Sequence, residues 1–244
     1  MTGAYRMLSQ FGNSQSLDTT STNPQMKIFT GNYTMYARHG GSRVAFGVRE
    51  FIKERGGIAE RNIFGMRDTS EFVAPDVFHL EIDRTDEGYK QVIPSAKFMG
   101  EDFYIEEEYK RVDIGKATPV DGAWRLTKAF TVKGTDTTHL QIVQYKFYQS
   151  GNFIFGHSLR DSAFAIPHAG IGFGTFSMTD DNTLVENVET SNYPAIVGKS
   201  FNIKLMLSVP PNNLVQIVDE LDGVKSVEYY ERLVKGEQGG VEKW

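Results

Sequence analysis

The sequence contains no cysteine. That excludes disulfide frameworks, thiolate nucleophiles and cysteine-ligated zinc, and leaves the redox compartment open. It also lacks a basic excess: 26 Lys and Arg stand against 31 Asp and Glu over 244 residues, a formal charge of −5. No positive field is offered to nucleic-acid phosphates, so nucleic acid is not an expected partner. No run of 18 apolar residues occurs, so no integral membrane helix is expected. Met1 to Leu8 holds no basic segment followed by a long apolar core. The expectation is a soluble chain without a leader, equally compatible with the cytoplasm and with an exported protein whose leader stands outside this sequence. Gly-x-Ser-x-Gly, His-Glu-x-x-His, phosphate-loop and calcium-loop patterns are absent, and neither a metal nor a cofactor is expected. The glycines of Gly170-Ile171-Gly172-Phe173-Gly174 lack the strand–turn–helix setting of a dinucleotide fingerprint, and read instead as strand glycines that permit curvature or a bulge.

What the sequence does contain is itself, twice. Gly3-Ala4-Tyr5-Arg6 matches Gly122-Ala123-Trp124-Arg125 at an offset of 119, and Gly31-Asn32-Tyr33 matches Gly151-Asn152-Phe153 at 120. Ala45-Phe46-Gly47-Val48 can be set against Gly172-Phe173-Gly174-Thr175, and Phe78-His79-Leu80 against Phe201-Asn202-Ile203. Glu107-Glu108-Tyr109-Lys110-Arg111 matches Glu228-Tyr229-Tyr230-Glu231-Arg232 at 121. Order is preserved throughout, so the expected organisation is a first domain over 1–113, a linker over 114–121, a second domain over 122–236 and a frayed tail over 237–244. Asn13 to Pro24, rich in Ser, Thr and Asn, reads as a loop.

Within each unit the apolar period is two. Phe201, Ile203, Leu205 and Leu207 alternate with polar or exposed-type residues, as in a half-buried strand. His139, Gln141, Val143, Tyr145 and Phe147 share one parity, Ser150-Gly151-Asn152 turns, and Phe153, Phe155 and His157 return as a hairpin. About eight short strands per unit, separated by turn residues, predict an all-β sandwich or closed barrel. Phe51 to Arg55 and the segments around Ala163 and Ala195 are the short helix candidates.

Gly-x-aromatic at the start of a unit and Tyr-x-Arg at its end are Gly122-Ala123-Trp124 with Tyr230-Glu231-Arg232, and Gly3-Ala4-Tyr5 with Tyr109-Lys110-Arg111. With Asn192-Tyr193-Pro194-Ala195-Ile196-Val197-Gly198-Lys199-Ser200-Phe201, they resemble the calycin superfamily, specifically the lipocalin-like domains found in tandem in many Bacteroidetes proteins. The first unit departs from the pattern, having Tyr5 for Trp and no Val-Gly-Lys turn. The resemblance implies two antiparallel up-and-down β-barrels, each sealed by an arginine over a ring, a contact worth about 0.5–2 kcal/mol. It also implies binding of a small hydrophobic or amphipathic molecule in the barrel interior or at the domain seam.

Strand parity places Glu107, Tyr109 and Arg111 on one face, and Glu228, Tyr230 and Arg232 on another. Each set could bind a polar head group or, if buried, satisfy itself. His139, Gln141, Tyr145, Phe153, Phe155 and His157 would line an aromatic pocket if their face points inward. The alternative is a hydrolase, isomerase or cyclase within the second unit. There Asp161 would orient His157 as a general base, with Tyr145 and Tyr230 beside them as catalytic candidates. His79 is expected to face solvent, and His39 to sit in a loop. The sequence leaves open the oligomeric state and which unit holds the ligand.

Overall fold

A computed structural model describes residues 1–13, 15–19, 23–40, 43–67, 76–98, 101–159, 168–208, 212–219 and 223–234. The architecture is all-β. The first sheet comprises β1 (Gly3–Gly12), β2 (Gln15–Thr19), β3 (Gln25–Thr30), β4 (Tyr33–Gly40), β5 (Arg43–Glu54), β6 (Gly57–Arg67), β7 (Val77–Arg84), β8 (Gly88–Phe98) and β9 (Glu101–Arg111). The second comprises β10 (Gly122–Lys133), β11 (Asp136–His139), β12 (Ile142–Gln149), β13 (Asn152–Leu159), β14 (His168–Asp180), β15 (Thr183–Ser191), β16 (Ser200–Leu207), β17 (Asn213–Asp219) and β18 (Val224–Arg232).

In each sheet eight strands close a barrel by antiparallel pairing of first with last, β1 with β9 and β10 with β18. Closure leaves no open edge around the ring. The ninth strand, β2 or β11, pairs with the far half of β1 or β10 alone. Thus Gln15–Thr19 is a strand, where the polar composition suggested only loop, and Phe51 to Arg55 begins in β5 rather than a helix. The helix expected around Ala195 is a single 3-10 turn, Pro194–Ile196. His39 lies on β4, not in a loop. Ala163 and the tail after 234 lie outside the described residues. No described helix is long and apolar enough to cross a membrane.

The strand pairings correct the repeat alignment. The first hairpin turn is Gly31-Asn32, closed by Thr30 and Tyr33, and the second is Ser150-Gly151, closed by Gln149 and Asn152. Their true offset is therefore 119. Ser150 and Gly151 both have positive φ, 47° and 83°, so the shared Gly-Asn pair reflected turn chemistry rather than equivalent positions. Likewise Gly47 pairs with Tyr36 and Gly172 with Phe155, making Gly47 the counterpart of Gly172. At both, an added Cβ would enter the neighbouring ring. The expected bulge lies between Phe173 and Gly174.

Alternation supplies three cores. Inward residues such as Tyr5, Phe29, Phe51, Leu80 and Tyr89 fill the first barrel, and Trp124, Tyr148, Phe176, Leu184 and Ile203 the second. The third core lies between the barrels, where outward residues of β3, β4 and β5 meet those of β12, β13 and β14: Met26, Ile28, Met35 and Phe46 against Tyr145, Phe147, Ile154 and Phe173. Gly156 has no side chain because a Cβ there would strike Phe46 and Met35. β3 is buried on both faces, all six of its residues being buried.

Phe46 is fully buried in the seam, so Phe46→Ala should cost about 3–5 kcal/mol of unfolding free energy in urea titration. Ile52→Ala, at a residue 63% exposed, should change it by less than about 0.5 kcal/mol.

Candidate functional site

Each barrel carries a lysine in an apolar strand, Lys27 within Met26-Lys27-Ile28-Phe29 and Lys146 within Tyr145-Lys146-Phe147-Tyr148. Parity turns both inward. A buried ammonium requires a paired charge and further acceptors, and the same partners appear twice. Lys27 Nζ lies 2.7 Å from Glu60 and donates to Gln91 Oε1 at 3.0 Å. Lys146 Nζ lies 3.1 Å from Glu186 and donates to Gln216 Oε1 at 3.0 Å. Toward the other end Tyr109 donates to Glu107 at 2.8 Å, and Tyr230 to Glu228 at 2.7 Å. Gln25 and Gln144 donate to those two phenol oxygens. Burial, then the adjacent carboxylate, pushes the Tyr109 and Tyr230 hydroxyls well above the usual phenol range.

The barrels differ around this shared frame. In the first, Arg49 donates to Glu60 at 2.7 Å and lies 4.0 Å from the Phe78 ring centre. Burial opposes ionisation of Glu60, but Lys27 and Arg49 hold its carboxyl below the ordinary value. Gln10 donates to Glu107 at 2.6 Å, Gln91 donates to it as well, and Arg38 reaches Gln10 at 3.4 Å. Strand register gives their counterparts in the second barrel: Gly174 for Arg49, Ala129 for Gln10, His157 for Arg38 and Leu214 for Tyr89. Glu186 takes Tyr148 as its extra donor in place of an arginine. The consequence shows in exposure: Glu107 is 6% exposed, whereas Glu228 is only half-buried.

His157 extends the second network outward. Its Nδ1 lies 3.0 Å from Gln144 Oε1 and its Nε2 2.8 Å from Tyr193 Oη. Glu228 as a carboxylate only accepts, so Tyr230 donates to it, Gln144 Nε2 donates to Tyr230, and Gln144 Oε1 is left to accept from His157 Nδ1–H. His157 Nε2 then accepts from the Tyr193 hydroxyl. Burial lowers the His157 pKa to about 4, with Lys146 adding to the drop and Glu228 opposing it. Phe155, His157 and Tyr193 form a stacked series with ring separations of 5.9 and 5.6 Å. Tyr193 is delivered by the Asn192–Phe201 segment. Asn192 accepts from Ile171 N at 2.8 Å and donates to Ala169 O at 2.9 Å, tying that loop to β14. Gly170 leaves the room, since a Cβ there would collide with His157 and Tyr193.

At the opposite end Arg232 lies 4.3 Å over the Trp124 ring and donates to the carbonyls of Asp121, at 2.6 Å, and Pro119, at 3.0 Å. Trp124 Nε1 donates to Val120 O at 2.8 Å, and fully buried Val120 plugs the base. Gly122 is required there because the guanidinium occupies the space of a Cβ. Arg111 differs: it pairs with Tyr5 across the strands but sends its guanidinium to Asp113 at 2.5 Å and is largely exposed.

Of the residues singled out from sequence, Phe153, Phe155, His157, Glu228, Tyr230 and Arg232 project into the second barrel, and Glu107 and Tyr109 into the first. His139, Gln141 and Tyr145 do not join His157. His139 and Gln141 are exposed, and Tyr145 packs in the seam, 5.6 Å from Phe64. For His139 and Gln141 the parity count ran through a break, because β11 ends at His139 and β12 begins at Ile142, whereas Tyr145 pairs with Gly156 and so lies on the face opposite His157. Asp161 lies outside the described residues, as does the side chain of His168. His79 is exposed, 3.0 Å from Glu54. Lys146, Glu186, Gln144, Gln216 and Tyr193 were missed. A lysine repeated at offset 119 inside an apolar strand was their available signal. Among the described residues no three His, Asp or Glu side chains gather as a metal would require.

Residues 119–238 match a family described as a domain of unknown function (DUF4488). No curated protein matches the sequence. Two solved structures are similar at low level. A protein of unknown function from the DUF3598 family of Nostoc punctiforme PCC 73102 has 10% identity and a TM-score of 0.27, with 95% of this chain and 96% of that one covered. The isotype 1 transferrin binding protein B of serogroup B Neisseria meningitidis has 8% identity and a TM-score of 0.27, with 90% of this chain and 65% of that one covered.

Removing one member of a buried ion cluster strands the others. Glu60→Gln should therefore cost about 3–5 kcal/mol in urea titration, against less than about 1 kcal/mol for Glu50→Gln, whose partner Arg61 is exposed. His157 titrates in the opposite direction from a salt-bridged histidine. Below about pH 6.5 the unfolded chain takes up a proton that the folded barrel refuses until about pH 4. Stability is thus intact above that window and falls through it, by roughly 3 kcal/mol for this group. His157→Gln should show a correspondingly shallower loss of unfolding free energy between pH 6.5 and 4 than the unaltered chain.

Proposed function

We propose that the chain is a lipocalin-like binding protein whose second barrel receives a small amphipathic molecule at the end bordered by Glu228, His157, Tyr193 and Phe155. One observation carries the reading: an equivalent glutamate, in an equivalent network, is sealed in the first barrel by Gln10 and Arg38 and left half-buried in the second, where Ala129 and His157 stand instead. Half-buried Phe155, stacked on His157, and Phe201, packed against the second-barrel core, offer apolar area worth about 25 cal/mol per Å² covered, while Glu228 and Gln144 supply orientation. The first barrel serves as a filled structural partner. The calycin-like motifs support the same reading, since Arg232 over Trp124 closes one end and leaves the other for a ligand. Proton-transfer chemistry is less well served. His157 is a weak base with both nitrogens engaged, and the Tyr230 hydroxyl is committed to Glu228.

Titration of the full chain with the uncharged fluorophore N-phenyl-1-naphthylamine should give one saturable site. Ala129→Gln, which imports the sealing residue of the first barrel, should weaken it about tenfold, equivalent to about 1.4 kcal/mol. Gln10→Ala should leave the affinity of that site unchanged. Absence of saturable binding, or equal affinity in Ala129→Gln, refutes the assignment.

A further inference from the structure

Building on the second barrel as the ligand site, we infer that its ligand is a lipophilic amine whose protonated head pairs with Glu228. The argument is one of charge balance. In the first barrel Lys27 and Arg49 both pair with Glu60, and Glu107, held by neutral donors, feels Arg49 at longer range, so two buried cations stand against two buried carboxylates. In the second the carboxylates persist as Glu186 and Glu228, but Lys146 is the single buried counter-cation among the described residues, and it is bound to Glu186. Gly174 has replaced Arg49, and a neutral histidine has replaced Arg38. Arg232 serves the far end, four residues along β18 from Glu228 and so about 13 Å away, with its guanidinium on carbonyls and the Trp124 face.

Glu228 is consequently a carboxylate satisfied by neutral donors, Tyr230 at 2.7 Å and Gln144 at 3.4 Å, and by no cation among the described residues. A low-dielectric wall strengthens its pull on a positive charge. A cationic ligand restores the balance that an internal arginine provides in the first barrel. The rings of Phe155 and Tyr193, stacked on either side of His157, give an ammonium a favourable quadrupole and the attached chain an apolar wall. An anionic head would add a second uncompensated negative charge to this end, and an alcohol would leave the balance unchanged.

The test compares three heads on one tail. Octylamine, octanol and octanoate are titrated calorimetrically into the full chain at pH 7. The expected order is octylamine at least about tenfold tighter than octanol, with octanoate weakest. Glu228→Gln, checked for an unchanged circular dichroism spectrum, should bring octylamine down to the octanol affinity. If octanol or octanoate binds as tightly as octylamine, the amine assignment is overturned while barrel binding stands. If all three fail to bind, both readings fall together. The comparison of heads on the unaltered chain needs no variant, so a Glu228→Gln protein that does not fold leaves it decisive, and a folded Glu228→Gln that keeps the amine preference overturns the role of Glu228.

Discussion

A lysine held against a glutamate inside a closed ring of strands is the constraint on which the other features of this molecule depend. An ammonium and a carboxylate removed from water lose several kcal/mol of hydration each, and recover it only with close pairing and further hydrogen bonds. Lys27 with Glu60, and Lys146 with Glu186, meet that demand through the same glutamine donated by the penultimate strand, Gln91 or Gln216. The pair joins β3 to β6, or β12 to β15, across the interior. Pulling the wall apart would expose two unpaired charges, so the interior stays shut around them, and closure by β1–β9 or β10–β18 completes the enclosure.

The seam between barrels adds a second demand on the same strands. β3 and β12 turn polar residues inward to the ion pair and apolar residues outward to the other barrel, inverting the usual order of a barrel strand. Met26, Ile28, Tyr145 and Phe147 thus read as a core face from sequence, and they are one, but of the seam and not of a barrel interior. This inversion explains how Tyr145 came to be grouped with His157. Periodicity identifies a buried face without saying which of two buried faces it is. What was legible was the contact of Gly122, Trp124 and Arg232, which the motif resemblance implied, and the shared face of the Glu-x-Tyr pairs of β9 and β18, which follows from strand parity. The interior networks were not legible, because Lys27, Glu60 and Gln91 are brought together by strand register and lie far apart in sequence.

Duplication supplies an internal control. Where the two barrels agree, the residues satisfy requirements of the fold: the lysine, its glutamate, the two glutamines and the Glu-x-Tyr pair. Four of the differences run one way. Gln10, Arg38, Arg49 and Tyr89 become Ala129, His157, Gly174 and Leu214, exchanging long or charged side chains for shorter or neutral ones. Volume returns elsewhere, through Trp124 for Tyr5, Tyr148 for Phe29 and the insertion of Tyr193. Random drift in a packed interior would be penalised at each step, since cavities and unpaired charges both destabilise.

The histidine illustrates why the changes belong together. An arginine at position 157 would compensate Glu228 from within, whereas Arg38 in the first barrel reaches Gln10. A histidine is shorter than an arginine and, being buried, stays neutral through the physiological range. It keeps a hydrogen-bond chain from Tyr193 to Glu228 in which each donor points toward the carboxylate. Such a chain holds the acceptor in place without cancelling its charge. Replacing Arg49 by Gly174 would gain nothing by itself, because Glu186 needs its extra donor, and Tyr148 supplies that from a position where the first barrel has Phe29. The anionic frame is therefore kept intact layer by layer, and the uncompensated charge is confined to the one carboxylate that solvent can reach.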